Sequence, residues 1–442
     1  MRRLVLVLLI LWIHIGDLCV AWLYDGGAWP QAALLRPLRD GTVLALALLC
    51  LMTARMPRAL MLSVLAFGAV AVAYVPAGYA HGLPAGIVLG SLGVMLVPML
   101  FLLAGYGCMA QQRDLHFGTL CLVLLGVASA LFGAWDISHT QFWVDSVQLP
   151  QYMVNVKGVM PRDTDPATGL PWNFVGGEHY ERRAGGLVAA PLAQGQFLVT
   201  AALVALSLGH GRTLWRALLV CLGLFVGVWM SGTRGAMLAG IVAALGYLLT
   251  TREQIRSAAV RIALACVCLL VFAAASYSIV LVSVNLRDGS TIGHLLALQR
   301  NLADLHQVVL FGGGMGRQSA ISARHAFNDL GGSEGALFSM AYQMGVPGAL
   351  LFLCFAGWCL RTLWHAHRVH GDVLSLAMFW ILCGVMTTMV SSENALTVSG
   401  AGGFWFLLGG VLRHCAQRQQ DRGVNGRAKA PAYSAVMHGL KD

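Results

Sequence analysis

Charge is what this sequence has least of. Asp, Glu, Lys and Arg make up 11% of its 442 residues, against about 25% in an ordinary soluble domain. So few charges cannot cover a water-exposed surface, which excludes a cytosolic globular enzyme. A disordered chain is excluded as well, because it needs low hydrophobicity and high charge. Cysteine is missing where a secreted scaffold needs it. All 11 Cys lie within or beside apolar runs, and the two long polar segments hold none. That argues against a disulfide framework and a cysteine metal site. Cys266 and Cys268 stand two apart and face different ways on a helix, a poor ligand pair. Heptads and longer repeats are lacking. So is a compact cluster of histidines and carboxylates at metal-ligand spacing, and no metal or cofactor is expected.

What is present is apolar. Hydrophobic residues make up 58% of the chain, and the mean hydropathy is +0.71. They come in runs near the length of a membrane span, about 20 residues, not in the alternating strands of a porin-type barrel. Apolar runs fall at 4–24, 41–55, 59–80, 85–107, 117–135, 187–209, 214–231, 236–251, 258–284, 335–360, 373–390 and 396–412. The expected fold class is all-α: a polytopic transmembrane helix bundle of about 12 spans, forming one domain over residues 1–412. The first run continues through Trp12 and Trp22 without a clean small-x-small cleavage site, so it is read as a retained span.

Arg2 and Arg3 precede the first run, which predicts a cytoplasmic N-terminus. Counting outward from there, the cytoplasmic segments carry 18 of the 29 basic residues and only five acids. The formal net charge of +10 is therefore topological, and it implies no nucleic-acid partner. Both termini are expected inside. The tail from 413 to 442 is basic and poor in apolar residues, and it is expected to be disordered near anionic lipid. Two long segments fall outside, at 136–186 and 285–335. Within the second, Gly293 to Leu310 reads as an amphipathic helix. Trp22, Trp29, Trp135, Trp215 and Trp364 near span ends read as an aromatic belt. Trp143 and Trp172 in the first outer segment suit either loop packing or stacking on a sugar.

Four charged motifs remain on the outer side, where the positive-inside rule leaves them unexplained. Arg182 and Arg183 precede a small-residue approach to the sixth span, Ala184 to Pro191. They serve either as an anchor or as an anion clamp. Arg234 sits in Ser231-Gly-Thr-Arg-Gly, a break between two short apolar halves. It is either a snorkelling turn residue or an anion ligand. His294 and Arg300 follow in the predicted amphipathic helix, where the histidine suits a base or a helix-cap residue. The last motif is Leu310-Phe-Gly-Gly-Gly-Met-Gly-Arg317, then Arg324, His325 and Ser333-Glu334. A glycine-rich turn can present N–H groups to phosphate, but no strand precedes this one, so it is not a dinucleotide fingerprint. Glu334 opens an apolar span, where a carboxylate is either a dipole contact or a general base. Forked, permanently charged arginines suit a diphosphate. An anion clamp plus a base is what glycosyl transfer from a lipid diphosphate needs.

In these motifs the sequence resembles the O-antigen ligase and polymerase superfamily of integral membrane glycosyltransferases. The residues that carry the resemblance lie over roughly 180–350. They are Arg183 with the small-residue run to Pro191, Ser231-Gly-Thr-Arg234, Phe311-Gly312-Gly-Gly, and Glu334 ahead of Gly345-Val-Pro-Gly348. Ligases of the family carry His, often His-Asn, where this chain has Glu334-Gly335, so the polymerase-like branch is the nearer match. The resemblance implies polymerisation of undecaprenyl-diphosphate-linked oligosaccharide repeat units at the periplasmic face of a bacterial inner membrane. It implies no cofactor and no metal. Expected partners are the lipid-linked glycan donor, a glycan or lipid-linked acceptor, membrane lipids and a chain-length regulator protein. Arg183 and Arg234 are the expected diphosphate ligands, with Arg300 and Arg317 extending the substrate surface. Glu334 is the candidate base, His294 its rival or partner, and His325 a third candidate. Ligation of a finished glycan to lipid A-core is the alternative within the family. A lipid-linked-sugar transporter is the alternative outside it, although a transporter places polar groups near the bilayer midplane. Here only His14 and Asp17 lie inside the first span.

Overall fold

The structure, a computed structural model, describes residues 2–176, 181–209, 213–252, 254–284, 289–324, 330–332 and 334–428. His325 and Ser333 lie outside them, as does the tail beyond 428.

Most of the described residues are helical. The helices are α1 (Arg2–Tyr24), α2 (Leu35–Thr53), α3 (Arg58–Ala73), α4 (Val75–Ala80), α5 (Ala85–Cys108), α6 (Gln112–Asp136), α7 (Leu149–Asn155), α8 (Pro191–Leu208), α9 (Leu214–Met230), α10 (Arg234–Thr250), α11 (Ala258–Val284), α12 (Gly289–Asp304), α13 (Ala320–Arg324), α14 (Ala336–His370), α15 (Val373–Thr388) and α16 (Gly403–Ala428). The only sheet among the described residues is a two-residue antiparallel pair, β1 (Val175–Gly176) with β2 (Glu181–Arg182). Among the described residues six helices are long and apolar enough to cross a membrane: Arg3–Gly27, Arg58–Ala80, Ala85–Cys108, Gln112–Asp136, Pro191–Leu208 and Ala336–His370. Leu214–Met230, Arg234–Thr250, Ala258–Leu270 and Val373–Thr388 are shorter apolar helices. The chain is a membrane protein built as a helix bundle.

α8 is the hub. Nearly every residue from Ala193 to Leu206 is buried, and it packs on α6, α9, α10 and α15. A helix buried all round is one that other helices, rather than lipid, enclose. Small residues let these helices approach. A methyl group on Gly105 would meet the Phe406 carbonyl, which is how α5 and α16 come close.

The segment 136–186, expected outside, has a folded core. Trp143, Leu149, Tyr152, Leu170 and Phe174 form its own small core against Val20 and Ala21 of α1. Trp143 is fully buried, so packing, not sugar stacking, is its role. Asp17 pins this layer to α1. It accepts from Lys157 Nζ at 2.6 Å and Tyr152 Oη at 3.0 Å, with Arg36 at 3.7 Å. Burial first, and then the Asp17 charge, push the Tyr152 phenol well above its ordinary value, so it remains a hydrogen-bond donor.

Two expectations need correction. The amphipathic helix of the second outer segment spans Gly289–Asp304 rather than Gly293 to Leu310. Asn301 and Asp304 accept from Gly332 N and Gly331 N, which holds that end while the chain tightens into a short 3-10 turn at Leu305–Gln307. The tail is not disordered from residue 413. α16 continues to Ala428, held by Arg413 to the Tyr106 carbonyl, Gln417 to the Ala110 carbonyl and Arg418 to Asp372.

Candidate functional site

The approach to α8 is threaded between the ends of α6 and α9. Ala184 N donates to the Met230 carbonyl, Gly186 N to Asp136 Oδ2 and Leu187 N to Ser129 Oγ. Each bond occupies a backbone donor that would be costly to bury alone. Arg182 is spent on this scaffold. Its Nη1 donates to the carbonyls of Phe174 and Arg183, and its guanidinium lies over the Phe174 ring at 4.7 Å. Burial lowers its pKa, with the Asp136 carboxylate opposing.

Arg183 points the other way. Its side chain rests on two glycines. A methyl group on Gly176 would come 2.2 Å from Arg183 Nε, and one on Gly232 would come 3.0 Å from its stem. Gly232 has φ +61°, a conformation that costs other residues about 1–2 kcal/mol. It occupies the Ser231–Thr233 turn between α9 and α10. Thr233 Oγ1 fixes that turn to α8 by donating to the Pro191 carbonyl at 3.0 Å. Arg183 therefore packs on the turn that carries Arg234.

Arg234 Nη1 donates to Thr291 Oγ1 at 2.6 Å. Thr291 lies one turn before His294 on α12, so both project from one face. His294 Nδ1 stands 2.5 Å from Glu334 Oε2. The dyad is reachable, with the side chains of His294 and Glu334 49% and 38% exposed. Asn301, one further turn pair along the same face, is buried. It donates to the Glu334 carbonyl at 2.9 Å and accepts from Gly332 N at 2.8 Å, while Tyr342 Oη donates to its carbonyl at 2.7 Å. Glu334 is not a helix cap. The first donors of α14, Ala336 N and Leu337 N, go instead to the carbonyls of Ser392 and Met389.

A continuous line of contacts thus joins Arg183, the Gly232 turn, Arg234, Thr291, His294 and Glu334. Arg300 is not part of it. It is exposed, on the flank of α12 away from the His294 face. Arg317 faces a different neighbour, His81 Nε2 at 3.1 Å.

The glycine run has a structural task. α14 is broken at Gly345, where φ is +76°. Pro347 has no N–H to give the Gln343 carbonyl, as a continuous helix requires. The loop repairs the break. Gly313 N donates to the Tyr342 carbonyl, Gly314 N to the Gln343 carbonyl, and Val346 N to the Val309 carbonyl. Gly316 N donates to Gln343 Oε1, and Met315 N to the Tyr74 carbonyl. These donors are consumed inside the protein, which corrects their reading as a phosphate cradle.

Thr291 and Asn301 were not singled out in the sequence. The signal was available for both, since they share the helical face of His294. Among the described residues no group of three or more His, Cys, Asp or Glu could hold a metal ion. A cavity of 360 Å³ lined by Trp358, Arg361, Thr362 and His365 contains none of the residues above. The chain matches no protein-family model and no curated protein.

Proposed function

We propose that the chain is a glycosyltransferase of the outer face of the bacterial inner membrane, with both termini cytoplasmic and about 12 spans. It polymerises undecaprenyl-diphosphate-linked oligosaccharide repeat units. The observation that carries this function is the single line of contacts linking two arginines to a histidine–carboxylate pair. The four residues come from four separate stretches of sequence, and the line supports reading them together as an anion clamp and a base.

The chemistry divides between the two halves. An acceptor hydroxyl attacks the anomeric carbon of the donor glycan. The C–O bond to the diphosphate breaks, and the diphosphate leaves with the electron pair. Arg183 and Arg234 stabilise the charge that develops on it. The hydroxyl proton passes to the His294–Glu334 pair. Nδ1 of His294 is paired with the Glu334 carboxylate, which orients the ring and balances the imidazolium as the proton arrives.

Purified protein in liposomes, given undecaprenyl-diphosphate-linked repeat units, tests the function. A ladder of products is expected. A single product formed only on a lipid core would make the chain a ligase. Movement of donor between leaflets with no new glycosidic bond would make it a transporter.

A further inference from the structure

α12 is turned inside out for a helix in water. Its polar face is the inner one, carrying Thr291, His294 and the buried Asn301 against the protein. Beside that face Ile292, Leu295, Leu296 and Leu302 are exposed, with exposed Gln299 among them. These positions repeat at spacings of three and four, so they form one apolar stripe. The stripe is followed by exposed Val309, Leu310 and Phe311, the last 79% exposed. Exposed His306 and Gln307 separate the two apolar stretches in sequence, and large exposed apolar groups gathered in this way mark a binding face.

Two features of the chain say what covers it. The link from the end of α11 at Val284 to the start of α12 at Gly289 can stretch no more than about 17 Å, and Ala258–Leu270 of α11 is an apolar helix. α12 is thus tethered close to the end of an apolar helix. Val309 to Phe311 lie beside the break in α14. Val346 N bonds the Val309 carbonyl, and Gly345 abuts the Leu310 carbonyl. The helix from Gly345 to Arg361 is about 24 Å long, shorter than a hydrocarbon core of about 30 Å. On the topology proposed above, which sets Arg361 at the cytoplasmic interface, Leu310 and Phe311 fall at the depth of acyl chains. Arg300 is exposed on the flank of the stripe, where an interfacial cation meets anionic headgroups.

We propose that α12 and Val309 to Phe311 are inserted in the outer leaflet as an interfacial element, with the apolar stripe covered by phospholipid acyl chains. The His294–Glu334 pair then faces the headgroup layer instead of bulk water. The chain is anchored on both sides of Leu310 and Phe311, where Val346 N bonds the Val309 carbonyl and Gly313 N, Gly314 N and Met315 N bond carbonyls of α14 and Tyr74. This placement goes beyond the glycosyl-transfer function, and its test reads lipid contact alone.

Leu296→Trp and Phe311→Trp are made separately in the full-length protein, in phosphatidylcholine vesicles. The emission added to that of the 12 native tryptophans is measured as a difference from wild type. Wild-type melting and elution of each variant establish that it folds, and the two positions are independent. Replacing the lipid with its acyl-brominated form should remove most of the added emission at both positions. Added emission that survives brominated lipid at both positions overturns the proposal, whether water or a partner protein covers the stripe.

Discussion

His294 Nδ1 lies 2.5 Å from Glu334 Oε2, joining residues 40 positions apart. Neither residue of such a pair works fully alone, so their losses should not add. His294→Ala and Glu334→Ala are each expected to lower transfer by about 10²–10⁴-fold. The double variant should be no worse than the poorer single one. Initial rates of glycan formation by the three variants check this. Losses that multiply would mean that the two act separately.

Arg234 donates to Thr291 and stands beside the turn on which Arg183 rests. Arg234→Lys keeps the charge and loses the fork, so transfer should fall by about 10²-fold. Thr291→Val removes one hydrogen bond to a charged group, about 1.5–3 kcal/mol, and should have the smaller effect. The diphosphate-free lipid-linked glycan should bind both variants as it binds wild type. A Lys variant with wild-type rates would remove Arg234 from the clamp.

Gly312 is expected to be irreplaceable for packing. A methyl group there would come 2.3 Å from the Gln343 carbonyl group, whereas one on Gly293 meets nothing within 4 Å. Gly312→Ala should therefore cost about 1–3 kcal/mol. Gly293→Ala, inside α12, should gain about 0.5–1 kcal/mol. Thermal unfolding in detergent distinguishes the two. Equal melting temperatures would contradict the repair of the α14 break by this loop.

Asn301 holds α12 over Glu334 with two side-chain bonds. Asn301→Ala should cost about 1–3 kcal/mol, since it leaves Gly332 N and the Glu334 carbonyl without a partner. Hydrogen exchange should rise across 289–304 and stay unchanged in α8. Protection equal to wild type across α12 would show that other contacts dock this helix.

Much of the architecture was legible because its cause is local. Hydropathy runs place the helices, and the small-residue approach to Pro191 marks the start of α8. The contact between His294 and Glu334 was not legible, because it depends on how α12 docks. That docking is decided by Asn301 and Asp304 reaching across to Gly331, Gly332 and Glu334, and by Tyr342 donating to the Asn301 carbonyl. Gly312 to Gly316 show the opposite failure. Glycine-rich sequence suits both an anion nest and close backbone packing, and only the broken helix opposite, at Gly345 and Pro347, tells which. Arg182 and Arg183 are adjacent in sequence and alike in composition. The β1–β2 pair sends them apart, one to the Phe174 scaffold and one to the Gly232 turn.

The central claim is that the pair at the outer rim takes the acceptor proton, and Glu334→Gln tests it most directly. The amide keeps the size of the side chain and removes its charge. Purified Glu334→Gln protein, supplied with lipid-linked repeat units in liposomes, should form no chain longer than the starting unit while melting as wild type does. A ladder of wild-type length and rate from this variant would contradict the account.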